Sequence, residues 1–260
     1  MFKDVFHKYD LMNDIMSLGI HRLWKKQFIN WLNPQVNTRL LDVASGTGDI
    51  VKLYLNKINN NGFAYCLDEN QGMLNLSKKR FFSHSNIKWF CNNAEKLPFK
   101  DNYFDYYTIS FGIRNVENIN VALKEAYRVL KTGGLIFITA PVSNPVTNFV
   151  YDENNFLHKL RKNCLARKLM GKPPLPPKED HLTYFKLHSR DEMRIILETS
   201  KFKIIHEQPM SHSFNLYLGC ECFHKDTNGR TNSLAEGLAG VLRRFFPWAS
   251  CNYLLFVGEK

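Results

Sequence analysis

An α/β fold built on a doubly wound, mostly parallel sheet is what this 260-residue sequence predicts. Three observations predict it. Short apolar runs of strand length alternate with helical patterns of about 10–15 residues, the rhythm of strand–helix–strand units. Successive strand candidates end in polar residues, at Asp42, at Asp68-Glu69, at Asn92-Asn93 and at Ser110. The first strand breaks into Ala44-Ser45-Gly46-Thr47-Gly48 before a helix opens near Asp49, and such a turn sits where open α/β sheets bind ligands.

The elements follow in order. Residues Phe2 to Leu32 read as helical: Val5, Tyr9, Met12 and Met16 keep helical spacing, Gly19 interrupts, and His21 to Trp31 resumes until Asn33-Pro34 closes the segment. Leu40 to Val43 is a buried strand, and Asp49 to Lys57 a helix. Phe63 to Leu67 is a second strand, Gln71 to Phe82 a helix, Ile87 to Cys91 a third strand and Tyr106 to Ser110 a fourth. The helix Ile119 to Leu130 aligns Leu123, Ala126, Tyr127 and Leu130, and is expected to stop at Gly133-Gly134. Leu135 to Thr139 is a fifth strand. Asn154 to Met170 is a candidate basic helix, and Pro173-Pro174-Leu175-Pro176-Pro177 an extended spacer. Capping boxes at Ser189-Arg190-Asp191-Glu192 and Ser233-Leu234-Ala235-Glu236 open two further helices, the second stopped by Pro247. Phe202 to His206 and Asn252 to Val257 are the remaining strands.

Composition narrows the class. A hydrophobic content of 44% with 23% charged residues belongs to a folded globular chain. No apolar run reaches the roughly 18 residues of a membrane span, and no secretory leader is visible. Six scattered cysteines lack a disulfide framework, which suits a reducing compartment, and Cys220-Glu221-Cys222-Phe223-His224 fits no common zinc spacing, so no metal is expected. A formal charge of +11 favours an anionic partner. The excess is shared by both halves, but Leu157 to Lys178 carries Lys159, Arg161, Lys162, Arg167, Lys168, Lys172 and Lys178 without an acid.

The turn and two strand ends form a constellation. Gly46 and Gly48 can adopt angles closed to other residues, and the helix N-terminus behind them welcomes a carboxylate or phosphate. Asp42 adds a negative group to the same crevice. Asp68 stands roughly 20 residues past the turn, where an acid accepts hydrogen bonds from ribose hydroxyls. Gly-Thr-Gly lacks the third glycine of a pyrophosphate loop, which favours S-adenosylmethionine (SAM), whose tail is an amino acid. Asn93-Ala94 would then meet adenine. Any one of these is an ordinary turn residue; jointly, at successive strand ends, they favour a nucleoside site.

Three longer stretches carry a family resemblance. They are Tyr9-Asp10-Leu11-Met12-Asn13-Asp14-Ile15-Met16-Ser17-Leu18-Gly19-Ile20-His21-Arg22-Leu23-Trp24-Lys25; Leu41 to Asp49; and Asn93-Ala94-Glu95-Lys96-Leu97-Pro98-Phe99, running on through Phe111-Gly112-Ile113-Arg114-Asn115-Val116 to Tyr127-Arg128-Val129-Leu130-Lys131-Thr132-Gly133-Gly134. With them the sequence resembles the ubiquinone/menaquinone biosynthesis C-methyltransferase family of class I SAM-dependent methyltransferases over residues 5–140. The resemblance implies a Rossmann-like sheet of seven strands, the last antiparallel, with an N-terminal helical lid and a C-terminal helical insertion. The whole chain is read as a single domain, 1–260, with a lid (1–33), a SAM-binding core (34–140), a basic and proline-rich cap (141–188) and a C-terminal part of the sheet (189–260) with a helical insertion at 233–246; the parts after 140 come from the chain's own pattern, not from the resemblance.

It also implies that Thr47, Asp68, Asn93, Ala94 and Ser110 line the SAM site with Asp42, Gly46 and Gly48, that Tyr9 and Arg22 cover it from the lid beside Trp24, and that S-adenosylhomocysteine is the product. Arg114 is expected to stabilise a phenolate developing on a quinol ring, with Asn115 orienting the ring hydroxyl and a water, His7 or His21 accepting the proton. The expected partners are a lipid-like acceptor and an anionic membrane face met by the helix 157–172, with no nucleic acid, in a chain compatible with a homodimer. The expected compartment is the cytoplasm or the matrix side of the mitochondrial inner membrane. Nucleic-acid methylation is disfavoured because Ser110-Phe111-Gly112-Ile113 stands where a base-holding Asn/Asp-Pro-Pro-aromatic stretch would be. An O- or N-methyltransferase on another small molecule and a non-catalytic methyltransferase-like subunit stay open alternatives.

Overall fold

The computed structural model describes residues 28–141, 188–210 and 253–260, together with positions 25, 237, 238, 240, 241, 244 and 245. The chain divides into two compact units: Met1–Ala140 with Asp191–Gln208 and Leu255–Lys260, and Pro141–Arg190 with Pro209–Leu254. The sheet core and the candidate site belong to the first. Residues 1–24, with Tyr9, Arg22 and Trp24, the expected helix 157–172, Cys220 and Cys222, and the expected 233–246 helix as a whole lie outside the described residues.

Seven strands form one sheet: β1 Thr38–Val43, β2 Gly62–Asp68, β3 Ile87–Cys91, β4 Phe104–Ser110, β5 Leu130–Pro141, β6 Lys203–Met210 and β7 Tyr253–Glu259. Their order is β3-β2-β1-β4-β5-β7-β6. The pairs β1–β2, β1–β4, β2–β3 and β4–β5 are parallel. The last strand runs the other way: the N–H of Gly133, early in β5, reaches the carbonyl of Lys260, and the Lys260 N–H returns to Gly134. This is the expected seven-stranded class of sheet with its antiparallel final strand.

Burial explains why these segments became strands. Leu40 and Leu41 have no solvent exposure, because β1 lies mid-sheet with helices over its faces. The edge strand β6 reads differently: its residues are exposed or half-buried except Met210 at its end, and Lys203 at its start discourages pairing with another edge.

Four helices follow the apolar spacing. In α1 (Asp49–Lys57), Ile50, Val51, Tyr54 and Leu55 are buried. In α2 (Gln71–Arg80), the Asn70 side chain accepts from the N–H groups of Gly72 and Met73 and so caps the first turn. In α3 (Ile119–Val129), Ile119, Ala122, Leu123, Ala126 and Val129 face inward, and the Asn118 side chain accepts from the Val121 N–H. In α4 (Arg190–Thr199), Met193 and Leu197 are buried.

One expectation needs correcting. The helix α3 ends at Val129, one residue short of the expected Leu130, but Gly133-Gly134 is not its stop: β5 begins at Leu130 rather than at Leu135 and already contains the pair. Phe104 pairs with Leu130 while Tyr106 pairs with Leu135, so β5 carries extra residues opposite Asp105. Gly133, at φ 76°, and Gly134 form this bulge. A β-carbon on Gly134 would lie 2.8 Å from the Lys131 carbonyl. The glycine pair is required by sheet register rather than by a helix end.

Beside β2 and β3, Tyr65, Phe90, Phe99, Tyr103 and Phe104 pack mostly edge to face, with ring centroids from 4.8 to 6.2 Å apart. Arg128 fastens the same loop to α3. It pairs with Glu125 and Asp101 and donates to the carbonyls of Leu97 and Phe99. These contacts make a firm base for the turn that follows β3.

Candidate donor and acceptor site

The strand order reverses between β1 and β4, since the chain leaves β1 toward β2 on one side and returns to pair β4 on the other. A crevice opens outside the carboxyl ends of strands at such a point. Register brings the candidate residues to one level: Asp42 lies beside Cys66 and Thr108, Asp68 beside Cys91, and Ser110 beside Thr139.

The glycine turn is strained and held. Ala44 (φ 51°), Gly46 (φ 54°) and Gly48 (φ 83°) all occupy the left-handed region. The Ser45 N–H donates to the Leu67 carbonyl and the Gly48 N–H to the Ser45 carbonyl. Gly48 is pressed from below, because a β-carbon there would lie 2.7 Å from the Phe81 ring and 2.9 Å from Ser77 Oγ. No side chain caps α1. A helix N-terminus of this kind suits a ligand carboxylate.

Asp68 has two tasks. Its Oδ2 accepts the Gly46 N–H and its Oδ1 the Asn70 N–H, each at 2.8 Å. The carboxylate thus shapes the turn, while each oxygen keeps a further lone pair for a ribose hydroxyl. Burial pushes its pKa above the ordinary value, partly offset by those two N–H groups.

Asp42 differs from its expected role as a plain negative charge. It is 2% exposed, and Thr108 Oγ1 donates to its Oδ1 at 2.6 Å. Its Oδ2 is buried without a hydrogen-bond partner among the described residues. Burial raises the carboxyl to about 7, against the opposing pull of Thr108 and Lys25. An orphaned buried acceptor beside the N-terminus of α1 fits a ligand that carries both an ammonium and a carboxylate, as the amino-acid end of SAM does.

Asn93 and Ala94 follow β3. Asn93 Oδ1 accepts the Glu95 N–H at 2.6 Å, which leaves the amide N–H groups of Asn93 as its remaining donors, and the next residue, Ala94, is buried. Ser110 Oγ lies 3.3 Å from Thr139 Oγ1, which also accepts the Phe111 N–H at 2.9 Å. Phe111 takes φ 62°, a strained angle for an aromatic residue, and turns the chain sharply after β4. Gly112 then meets the donor turn, since a β-carbon on it would lie 2.3 Å from the Ala44 β-carbon. The short 3-10 turn Ile113–Asn115 follows, with Arg114 half-buried and Asn115 exposed.

The expected residues Asp42, Gly46, Thr47, Gly48, Asp68, Asn93, Ala94, Ser110, Arg114 and Asn115 thus all stand at or just beyond the carboxyl ends of four adjacent strands. Thr47 is itself nearly buried. Three supports were not anticipated. Asp49 binds Lys25 Nζ and Arg80 Nη1, each at 2.6 Å, and Arg80 also donates to the Thr47 carbonyl. Thr108 holds Asp42. Glu95 holds the N–H of Asn118 at 2.7 Å. Only the acid directly after the glycine turn left a trace in the sequence, because acids favour a helix N-terminus. Among the described residues no group of three or more His, Cys, Asp or Glu side chains could hold a metal.

Comparison with known proteins adds the family context. The model of the ubiE/COQ5 methyltransferase family matches residues 1–161, running past residue 140, where the motif resemblance lapses. A Dictyostelium discoideum protein named "2-methoxy-6-polyprenyl-1,4-benzoquinol methylase, mitochondrial" is 47% identical over 60% of this chain, and the match spans 62% of that protein's length. A Rickettsia prowazekii protein named "Ubiquinone/menaquinone biosynthesis C-methyltransferase UbiE" is 42% identical, covering 81% of this chain and 86% of its own. Among solved structures, geranyl diphosphate C-methyltransferase from Streptomyces coelicolor superposes with a TM-score of 0.60 at 13% identity, over 92% of this chain and 81% of that one. That likeness concerns the fold.

Proposed function

Because the chain belongs to the ubiE/COQ5 methyltransferase family and is by family and fold a SAM-dependent methyltransferase, we propose that it methylates a ring carbon of a polyprenyl benzoquinol or naphthoquinol. The observation that carries the reading is the approach of Gly112 to Ala44. It brings the segment bearing Arg114 and Asn115 against the turn that would hold the methyl donor.

SAM, when bound, supplies an electrophilic methyl on sulfur. The chain's own residues do the rest. The α1 N-terminus and the Gly46-Thr47-Gly48 turn receive the donor's carboxylate, and Asp42 Oδ2 its ammonium. Asp68 accepts the ribose hydroxyls. Asn93 and Ala94 bound the adenine, with Ser110 completing the wall. Transfer is an in-line displacement, so placing the two reactants supplies most of the rate. Arg114 stays protonated; it stabilises negative charge on a quinol oxygen whose proton passes to a water, His7 or His21, which makes the adjacent ring carbon nucleophilic, while Asn115 orients that oxygen. As the ring carbon takes the methyl, the methyl–sulfur bond breaks, S-adenosylhomocysteine would leave, and the ring proton is lost to water. The names of the Dictyostelium and Rickettsia relatives support a quinol acceptor.

An acceptor with a polyprenyl tail resides in a bilayer, and none of the described helices is long and apolar enough to cross one. The acid-free basic stretch 157–178 supplies charge for docking on anionic lipid. The deciding assay follows methyl incorporation by mass spectrometry on demethylated quinols of varied tail length. Methylation of ring carbon supports the reading; methylation on oxygen alone, or none on any quinol while another small molecule is methylated, overturns it.

A further inference from the structure

Asp42 stands near the carboxyl end of β1, between Cys66 on β2 and Thr108 on β4 in the sheet register, and is 2% exposed. Thr108, itself fully buried, donates its hydroxyl to Asp42 Oδ1 at 2.6 Å, whereas Oδ2 has no hydrogen-bond partner among the described residues. The charged and titratable groups around the carboxyl do little for a negative charge on it. Lys25 attracts it, but the Lys25 Nζ is already bonded to Asp49 at 2.6 Å. Asp49, at the start of α1, and Asp68, at the end of β2, are acids that repel it. Cys66 on β2 and Tyr107 on β4 are kept neutral by burial, and Asp42 pushes both further that way.

A carboxyl so placed holds a proton more readily than one in water, and burial lifts its value to about 7. Thr108 decides where that proton sits. Oδ1 already accepts a hydrogen, which leaves Oδ2 to carry the proton. Oδ2 is also the oxygen given above to the donor's ammonium. One atom therefore serves two occupants that exclude each other.

We propose that Thr108 is a positioning residue for the methyl donor: by holding Asp42 Oδ1 it confines proton and ammonium to Oδ2, so that binding of the donor's amino-acid end expels one proton to solvent. The Thr108 hydroxyl, as a donor, also favours the ionised carboxylate and so eases the exchange. The inference rests on the assignment of Asp42 to the ammonium. It goes beyond that assignment in naming the residue that sets the exchange and in linking donor binding to a proton.

The test is calorimetry on the full chain with S-adenosylhomocysteine and with 5′-methylthioadenosine, which keeps the ribose and the thioether but lacks the amino-acid end. Asp68, whose carboxyl is also shifted upward, would meet the ribose of both, so any titration there appears with either ligand. Buffers of different ionisation enthalpy count the protons released. Near pH 6 the native protein should release about one proton more with S-adenosylhomocysteine than with methylthioadenosine. Affinity for the first, relative to the second, should rise about tenfold between pH 6 and pH 8. In Thr108→Val, which keeps the shape of the side chain and loses the hydroxyl, that rise should move up by about one pH unit, lowering affinity for S-adenosylhomocysteine about fivefold at pH 7. Thr108→Ser should restore the native profile.

Equal proton release with the two ligands overturns the proposal, and that measurement needs no variant. So does a Thr108→Val profile that superposes on the native one, or a Thr108→Ser variant that behaves like Val. A hydroxyl that only supports the fold would, when lost, weaken both ligands alike at every pH, which also counts against it. Asp42→Asn separates this inference from the reading beneath it. If that variant binds S-adenosylhomocysteine at pH 8 as the native protein does, the ammonium assignment itself falls. If it binds more weakly there while Thr108→Val changes nothing, the assignment stands and the role of Thr108 falls.

Discussion

Gly112 and Ala44 occupy each other's side-chain space: a β-carbon on Gly112 would stand 2.3 Å from that of Ala44. They come from the ends of two neighbouring strands, and both flank backbone in unusual conformation, Ala44 itself at φ 51° and Phe111 at 62°. The strain is what brings the two turns together. Gly112→Ala should destabilise the protein by about 1–3 kcal/mol, the usual cost of overpacking. It should also weaken SAM binding, because the donor turn is what would give way. Ala44→Gly should be neutral or stabilising alone, since glycine adopts a positive φ without penalty, and it should rescue Gly112→Ala. Urea melts of the two single variants and the double variant measure this; additive effects would show that the contact is not the cause.

Asp68 spends one lone pair of each oxygen on the chain's own N–H groups, at Gly46 and Asn70. Removing the carboxylate should therefore do more than delete contacts to a ribose. Charged hydrogen bonds contribute roughly 1.5–3 kcal/mol each, so Asp68→Ala should raise the dissociation constant for SAM by about 10- to 100-fold. Asp68→Asn should not restore it, because an amide nitrogen would face an N–H donor on one side or the other. Calorimetry with SAM and S-adenosylhomocysteine gives the answer. An Asn variant that binds like the native protein would separate Asp68 from the turn.

Asp42 offers a pH signature. Its ordinary value is 3.8 and burial raises it to about 7 in the folded chain. Between those values the folded state holds a proton that the unfolded chain has released, so stability falls as pH rises from about 4 to about 7. Asp42→Asn keeps an oxygen for the Thr108 hydroxyl and removes the titration. The variant should match the native protein near pH 4 and exceed it in stability near pH 8, with a flatter profile between. If Asp42 also receives the donor's ammonium, the same variant should bind SAM more weakly at pH 8. Denaturant melts at a series of pH values decide the first point; parallel slopes for the two proteins would mean that Asp42 ionises normally.

Local chemistry made much of this legible in advance. The buried run at Leu40–Val43 and the Gly46-Thr47-Gly48 turn each depend on neighbours in sequence and were found where spacing put them, while of the expected α3 stripe Leu123 and Ala126 face inward, Tyr127 is half-buried and Leu130 belongs to β5. What depends on distant neighbours was not legible. Gly133-Gly134 was misread as a helix stop because the pair answers to the register of β4, about 25 residues away in sequence. Asp42 reads as a charge until Thr108 and the β4 strand bury it. Glu95 meets the Asn118 N–H only because the fold brings together residues 23 apart in sequence. The residues positioned by the lid, Tyr9 and Arg22, carry their family motif but lie outside the described residues.

Arg114 carries the largest kinetic expectation. It lies in the 3-10 turn directly after the Gly112–Ala44 contact, with its Nε atom buried, so its charge acts where water screens it little. A guanidinium cannot serve as the base, but beside a quinol hydroxyl it lowers the pKa of that group and holds the resulting oxyanion. Losing one such donor commonly lowers kcat by 10²–10³. Arg114→Ala should therefore lose turnover by about that factor while SAM affinity stays within about threefold. The pH at which its residual rate climbs should move upward, because the ring hydroxyl must then ionise without help. Arg114→Lys should fall between the two, keeping the charge but losing the planar fork that can address oxygen and neighbour together. Steady-state rates across pH, with SAM binding measured separately, test all three. An unshifted pH profile with full turnover in Arg114→Ala would remove the residue from the chemistry and leave acceptor activation to another group.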